Sequence, residues 1–416
     1  MPTLLIIGYV WPEPESSAAG YRMMALLQAF LDQGWKITFA SPAERTPHKA
    51  DLNTLGVDEV AIVLNCSSFD NFVSELAPNV VLFDRFMMEE QFGWRVENNC
   101  PSALRILDTE DLSSLRYSRQ EAFKRDGVIN PPLTPELLFT DNARREIAAI
   151  LRCDLTLMIS EVETDLLTRF FKVDPCLLLY LPFMLKEVNI VEKGQLPPFI
   201  QRESFIAIGN YRHLPNWDAV QYLKESIWPL IRQQLPQAEL HIHGAYPPKK
   251  ATQLHSKQEG FLIKGWAPDV TEVMRQAKVN LAPLRFGAGL KGKLLDAMRC
   301  GTPSVTTSIG AEGMAGNLPL GGEITDNPDV FAERAVALYT QPEQWYQAQS
   351  NGFNVLDARF NYNYHARKLL KKIDELINNL TIHRQNNFTG SILRHNSMKS
   401  TKYMSKWIEE KNKNQR

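Results

Sequence analysis

The 416 residues carry no surplus of either charge: 46 Lys and Arg stand against 47 Asp and Glu, a formal net charge of -1. Broad nucleic-acid binding needs a basic face that releases counterions from phosphates, so this balance excludes it and leaves any charged partner to be met locally. Cysteine is scarce. Cys66, Cys100, Cys153, Cys176 and Cys300 lie far apart, form no C-x-x-C pair and are odd in number. That pattern fits neither a zinc site nor a disulfide framework and suits a reducing compartment, here the cytoplasm. Long apolar runs are missing too: nothing approaches the about 18 uninterrupted apolar residues of a membrane span. The opening "MPTLLIIGYVWPEPE" has no basic n-region and meets Glu13 and Glu15 directly after its apolar run, so it reads as a first β-strand rather than a signal peptide. What is present is the composition of a globular protein, long enough for two or three domains of roughly 100 to 200 residues.

Short apolar runs alternate with helical patterns. "TLLIIGY" is followed by "AAGYRMMALLQAFLDQG", whose Met23, Met24, Leu27, Phe30 and Leu31 recur at three and four, and then by "KITFASP". Further strands are predicted at "VDEVAIVL", "PNVVLFD", "ALRILDTED", "CDLTLMIS" and "CLLLYLPF", with helices at about 141 to 151 and 161 to 171. A second βα series starts at "SFIAIGN" and continues through "AELHIHG", "GFLIKG", "VNLAPL" and "PSVTTS". The fold class is α/β, with two parallel sheets covered on both faces. The expected division is a first domain over 1–185, a Pro- and Gly-bearing linker over 186–203, a second domain over 204–358, a helix over 359–382 and a basic tail over 383–416 with a short amphipathic helix.

Chemistry concentrates in residues 286 to 298, "FGAGLKGKLLDAM". From Gly287 the spacing is that of a P-loop, yet an ATP loop needs Ser or Thr directly after Lys293 to hold magnesium, and this chain has Leu294. The stretch also follows a late strand, whereas a P-loop closes the first strand of its domain. A glycine-rich packing turn explains Gly287, Gly289 and Gly292 but not two lysines and an aspartate together. Close backbone approach at the glycines, a helix N-terminus and the charges of Lys291 and Lys293 suit a diphosphate. Asp296, about one turn beyond Lys293, suits paired ribose hydroxyls. A second loop with Gly310 and Gly313 follows strand "PSVTT", and in open α/β sheets ligands bind outside such carboxyl ends.

The segment "LAPLRFGAGLKGKLLDAMRCGTPSVTTSIGAEGM" resembles the donor-binding signature of glycosyltransferase family 4. "FIAIGNYRHLPNWDAVQYLKESIWPLI" and "ELHIHGAYP" are similar to the opening of that family's second domain, and "GYVWPEPESSAAGYRMMALLQAFLDQGWKITFASP" to the start of its first. The resemblance implies the GT-B architecture: two Rossmann-like domains facing across a cleft, donor on the second, acceptor mainly on the first, and a last helix crossing back. It implies retaining transfer of a sugar from a nucleoside-diphosphate sugar to a hydroxyl of a glycan or lipid-linked acceptor, in surface polysaccharide or glycoconjugate synthesis. No cofactor and no divalent metal are expected. The family's two glutamates seven residues apart are replaced by Ala288 and Asp296, which leaves the donor sugar open. Family members with a "GaG" loop also lack the first Glu.

The resemblance assigns donor binding to Gly287, Gly289, Leu290, Lys291 and Asp296, with Trp266 of "KGWAPD" edging the nucleobase. It gives Arg212 of "GNYRHLPN" the task of neutralising the leaving diphosphate, with Lys291 or Lys293 standing in for an accompanying family Lys that this segment lacks. In the first domain, "LDTEDLSSLRYSR" offers Asp108, Glu110, Asp111 and Arg116 where relatives meet the reacting sugar or acceptor. A helix capped by Asp108 explains the same acids by dipole complementarity. Gly20 would let the first helix approach the diphosphate or acceptor. His241 and His243 alternate in a strand without a third ligand and read as structural. A sugar-nucleotide epimerase and a non-catalytic nucleotide-sugar-binding subunit are the alternatives. The basic tail, with Tyr403, Met404 and Trp407, suits peripheral contact with an anionic membrane or packing back onto the protein, the second being preferred.

Overall fold

The computed structural model describes residues 1–186 and 194–413, without the side chains of 397 and 398. Two sheets organise it. The first has the order β3-β2-β1-β4-β5-β6-β7, with β1 Thr3–Ile7, β2 Lys36–Ser41, β3 Asp58–Ala61, β4 Val80–Asp84, β5 Leu104–Asp108, β6 Leu155–Met158 and β7 Leu178–Tyr180. The second has the order β10-β9-β8-β11-β12-β13, with β8 Glu203–Ile208, β9 Leu240–His243, β10 Phe261–Gly265, β11 Ala277–Ala282, β12 Ser304–Thr306 and β13 Gly322–Ile324. The pairings within both are parallel, from Leu4 beside Ile37 to Val305 beside Glu323. Central strands such as β4 "VVLFD" and β5 "LRILD" are buried along their whole length, because helices cover both faces of each sheet. Strand order reverses between β1 and β4 and between β8 and β11, which opens a crevice at the carboxyl end of each sheet.

The sheets are joined twice. Leu185 donates its N–H to the Phe360 carbonyl at 2.7 Å and accepts from the Tyr362 N–H at 2.8 Å, so the outgoing and returning chain run side by side. Helix Tyr362–Asn378 then buries Ala366, Leu369, Ile373 and Leu376 against Leu26 and Phe30 of helix Ala18–Leu31, in the core of the first sheet. Part of the expected linker, residues 187–193, lies outside the described residues, as do 414–416.

Three local features differ from the sequence reading. "NWDAVQYLKESIWPLIRQQL" is one helical path broken by a wide turn at Leu223–Ile227; Pro229 at the start of the following helix has no N–H to continue the ladder. Helices Ser68–Leu76 and Phe86–Asn99 went unread, the second because its buried face carries Glu89 and Arg95 among its apolar residues. The short amphipathic helix expected in the tail is in fact 26 residues long, Phe388–Lys413. It packs on helices Phe86–Asn99 and Asp141–Arg152, whose surface supplies contacts invisible in the tail itself.

Candidate active site in the interdomain cleft

The carboxyl ends of the two sheets face each other across a cleft of about 1010 Å³, within the range that encloses a drug-sized ligand. Residues singled out above line it, among them Gly20, Arg116, Arg212, Trp266, Gly287, Gly289, Leu290, Lys291, Lys293 and Asp296.

On the second domain, β11 ends at Ala282 and the chain loops to helix Gly292–Arg299. Gly289 has φ 64°, and a Cβ there would lie 2.8 Å from the Asp111 Cβ of the first domain, so the position requires glycine twice over. No side chain caps the helix, and Gly292 and Lys293 in its first turn line the cleft, an arrangement that suits an anion. Lys291 is largely buried and its ammonium donates to the carbonyls of Ala288 and Gly289 at 2.9 and 2.5 Å, so it braces the loop rather than reaching out. Lys293 donates to Asn216 Oδ1 at 2.8 Å, and burial together with neighbouring Lys291 pushes its pKa down to about 7. Asp296 is pushed up to about 6 by burial, partly offset by Arg299 at 3.5 Å. Leu294, the residue that breaks the P-loop pattern, packs with Leu290, Leu295 and Met298 against Ile159 and Phe183 of the first domain.

Arg212 is exposed at the rim, its guanidinium 3.5 Å from the centre of the Tyr246 ring. Trp266 sits at the mouth beside His48, with its indole N–H donated to the Glu15 carbonyl at 3.1 Å. Gly20 opens helix Ala18–Leu31, where Ser17 caps its N–H and a Cβ would strike the backbone of Glu13 at 2.4 Å.

Asp108 is the exception. It is the last residue of β5, fully buried, and both its oxygens accept from Arg22 Nη1, at 2.6 and 2.5 Å. The expectation that it meets a reacting sugar is corrected: the chain runs on through the loop, and Glu110 and Asp111 reach the cleft instead. It caps no helix either, since Ser113–Asp126 starts five residues later behind Leu112. Glu110 adopts a left-handed φ of 61° and is raised to about 8 by burial, with Arg22 opposing. Arg116 is held by Asp111 at 2.9 Å.

Two first-domain side chains escaped the sequence reading. Arg119, one turn beyond Arg116, donates to the Gly287 carbonyl at 3.0 Å and grips both oxygens of Glu312 at 2.9 and 2.7 Å. It thus ties the two glycine loops of the second domain to the first. Glu163 accepts the Gly289 N–H at 2.7 Å and the Leu112 N–H at 3.2 Å, and burial with nearby Asp111 raises it to about 8. Nothing in their local sequence marks either residue, because the partners lie between 51 and 193 positions away.

Residues 202–341 match the family model described as glycosyl transferases group 1, a match confined to the second domain. Among solved structures, sucrose-phosphate synthase from Thermosynechococcus elongatus aligns with a TM-score of 0.65 at 14% identity, over 90% of this chain and 99% of its own. Anabaena HepE in complex with UDP and glucose aligns at 0.66 and 12% identity, over 89% and 99%. The fold is GT-B. The lipopolysaccharide outer core galactosyltransferase WaaB shares this architecture at a TM-score of 0.60 and 13% identity, over 90% and 99% of the two chains. No curated protein matches by sequence. In the GT-B frame the glycine loop and helix Gly292–Arg299 form one wall of the cleft, and the carboxylate-bearing loop after β5 forms the other.

Proposed function

We propose that the protein is a glycosyltransferase that moves a sugar, a hexose or a related one, from a nucleoside-diphosphate sugar to a hydroxyl of a glycan or lipid-linked acceptor. The observation that carries this reading is the cleft itself, where an uncapped helix N-terminus, Lys293, Arg212 and Asp296 converge on the second domain opposite Glu110 and Asp111 on the first. The group 1 match over that second domain supports it, as does the HepE complex, which makes UDP and UDP-sugars the first donors to test.

Departure of a nucleoside diphosphate leaves charge on the diphosphate and an oxocarbenium-like sugar. Fixed N–H groups and the Lys293 and Arg212 cations stabilise the first in a site shielded from water. A Lys293 shifted to about 7 takes up a proton as the diphosphate enters, so its charge is strongest when the leaving group needs it. These cations do the work a metal ion would otherwise do, and the reaction proceeds without one. Asp296 accepts from the ribose hydroxyls. Retention of anomeric configuration follows the resemblance of the donor loop, and surface polysaccharide or glycoconjugate synthesis in the cytoplasm is the setting it suggests.

A thermal-shift screen over UDP, GDP, ADP and their sugars tests the donor site, since a ligand that binds only the folded state raises the melting temperature. A rise with one nucleotide series is expected, and no rise with any sinks the reading. A donor that binds and is neither transferred nor hydrolysed makes the chain a binding subunit, in line with Ala288. A donor altered with no acceptor present makes it an epimerase.

A further inference from the structure

The C-terminal helix Phe388–Lys413 carries large apolar side chains on its solvent side, while its inner side mixes polar groups with half-buried Leu393 and Ile408. Facing the protein, the buried Ser405 hydroxyl accepts from Arg95 at 3.2 Å, and Glu409 accepts from the N–H and hydroxyl of Ser67 at 3.1 and 2.5 Å. Facing solvent, Phe388, Ile392, Tyr403 and Trp407 are exposed by 71%, 45%, 65% and 60%, at spacings that keep them on one face, with Met404 beside them. A soluble surface helix normally leaves its solvent side to polar residues.

The ridge is basic as well as aromatic. Lys399, Lys406 and Lys411 are exposed along it, and Lys411 lies 5.4 Å from the Trp407 ring centre. The acids do not neutralise it: Glu409 is turned inward to Ser67, and Glu410 is paired with Lys413 at 2.8 Å. A local basic strip on a chain of net charge -1 selects an anionic partner.

We propose that this ridge is a docking surface for an anionic lipid membrane. Tyr and Trp favour the water–lipid interface, where the ring is apolar and the tip stays wet, and neighbouring lysines add attraction to acidic headgroups. An exposed helix about 39 Å long can lie along a fluid lipid surface without needing a complementary groove. A second copy of the chain is disfavoured by charge, because a twofold contact would set these lysines against their own images. The helix climbs the flank of the first domain from the Asp154 carbonyl, just before β6, held by His383 of the preceding turn, to Ser67, which follows β3. The docking does not depend on which reaction the cleft performs.

The test is sedimentation of the full chain with vesicles of phosphatidylcholine, with and without phosphatidylglycerol. Binding to the anionic vesicles alone, weakened by salt, is expected. A variant carrying Tyr403→Ser, Met404→Ser and Trp407→Ser should lose it while keeping the wild-type melting temperature. A second, carrying Lys399→Gln, Lys406→Gln and Lys411→Gln, should lose about fivefold in partitioning per lysine. No sedimentation by the wild type, equal sedimentation with neutral vesicles, or undiminished binding by both variants overturns the proposal. A concentration-dependent dimer abolished by the Tyr403, Met404 and Trp407 substitutions also overturns it, and assigns the ridge to self-association.

Discussion

The two walls of the cleft solve different problems. The second-domain wall is short in sequence and cationic: one run from Gly287 to Asp296 supplies a loop, a helix N-terminus, two lysines and a carboxylate. The first-domain wall is assembled from distant pieces and leans acidic, with Asp84 at the end of β4 and Glu110 and Asp111 after β5, backed by buried Glu163 on helix Glu161–Arg169. Its acids are also interlocked with arginines, so that Asp108 serves Arg22 and Asp111 serves Arg116. The difference teaches that the second-domain wall keeps its cationic groups open to the cleft, whereas the opposing wall is held in place by ion pairs.

The comparison can be broken in four ways. The largest effect is expected from Asp108→Ala, which leaves the fully buried Arg22 without its main partner. A loss of about 3–5 kcal/mol in stability should appear in urea unfolding. A loss below that of an ordinary surface change would show that the first wall is not held by this pair. Next, Lys293→Ala should cut transfer by about 10²–10³-fold with the melting temperature of the free protein nearly unchanged, as removal of one charge-stabilising donor does in other enzymes. Equal turnover by the variant would move the diphosphate elsewhere.

Gly289→Ala comes third. It forces a side chain into φ 64° against Asp111, at roughly 1–2 kcal/mol from the backbone conformation alone. It should loosen the two walls together, read as weaker nucleotide binding and a lower melting temperature. The smallest effect is set by pH. The free-state pKa of Lys293, about 7, lies below that of an exposed lysine, and an entering anion raises it. Binding therefore takes up a proton above pH 7, and the nucleotide Kd should rise with pH by up to about tenfold per unit there. Calorimetry in buffers of different ionisation enthalpy measures that proton, and a pH-independent Kd between 7 and 9 would exclude Lys293 as the diphosphate contact.

Much was legible without coordinates. Parallel α/β sheets follow from buried strands alternating with helices, since the apolar runs of β4 and β5 are what a doubly covered sheet requires. The second-domain wall was readable for a simpler reason: its residues are contiguous, so spacing alone places Lys293 and Asp296 on one helix. Asp108 misled because sequence shows that a carboxylate follows a strand but not that Arg22, 86 positions earlier, claims it. Arg119 and Glu163 were invisible for the same cause.

Residue order by itself determined most of the elements, the alternation that builds two parallel sheets, and the glycine-lysine loop before helix Gly292–Arg299, all patterns among neighbours within about one turn or strand. Tertiary structure decided which ionisable groups are spent in ion pairs and which face the cleft. It also decided which side of helix Phe388–Lys413 meets the protein. Burial and charge pairing depend on groups brought together from distant parts of the chain, and only the closed fold sets those distances.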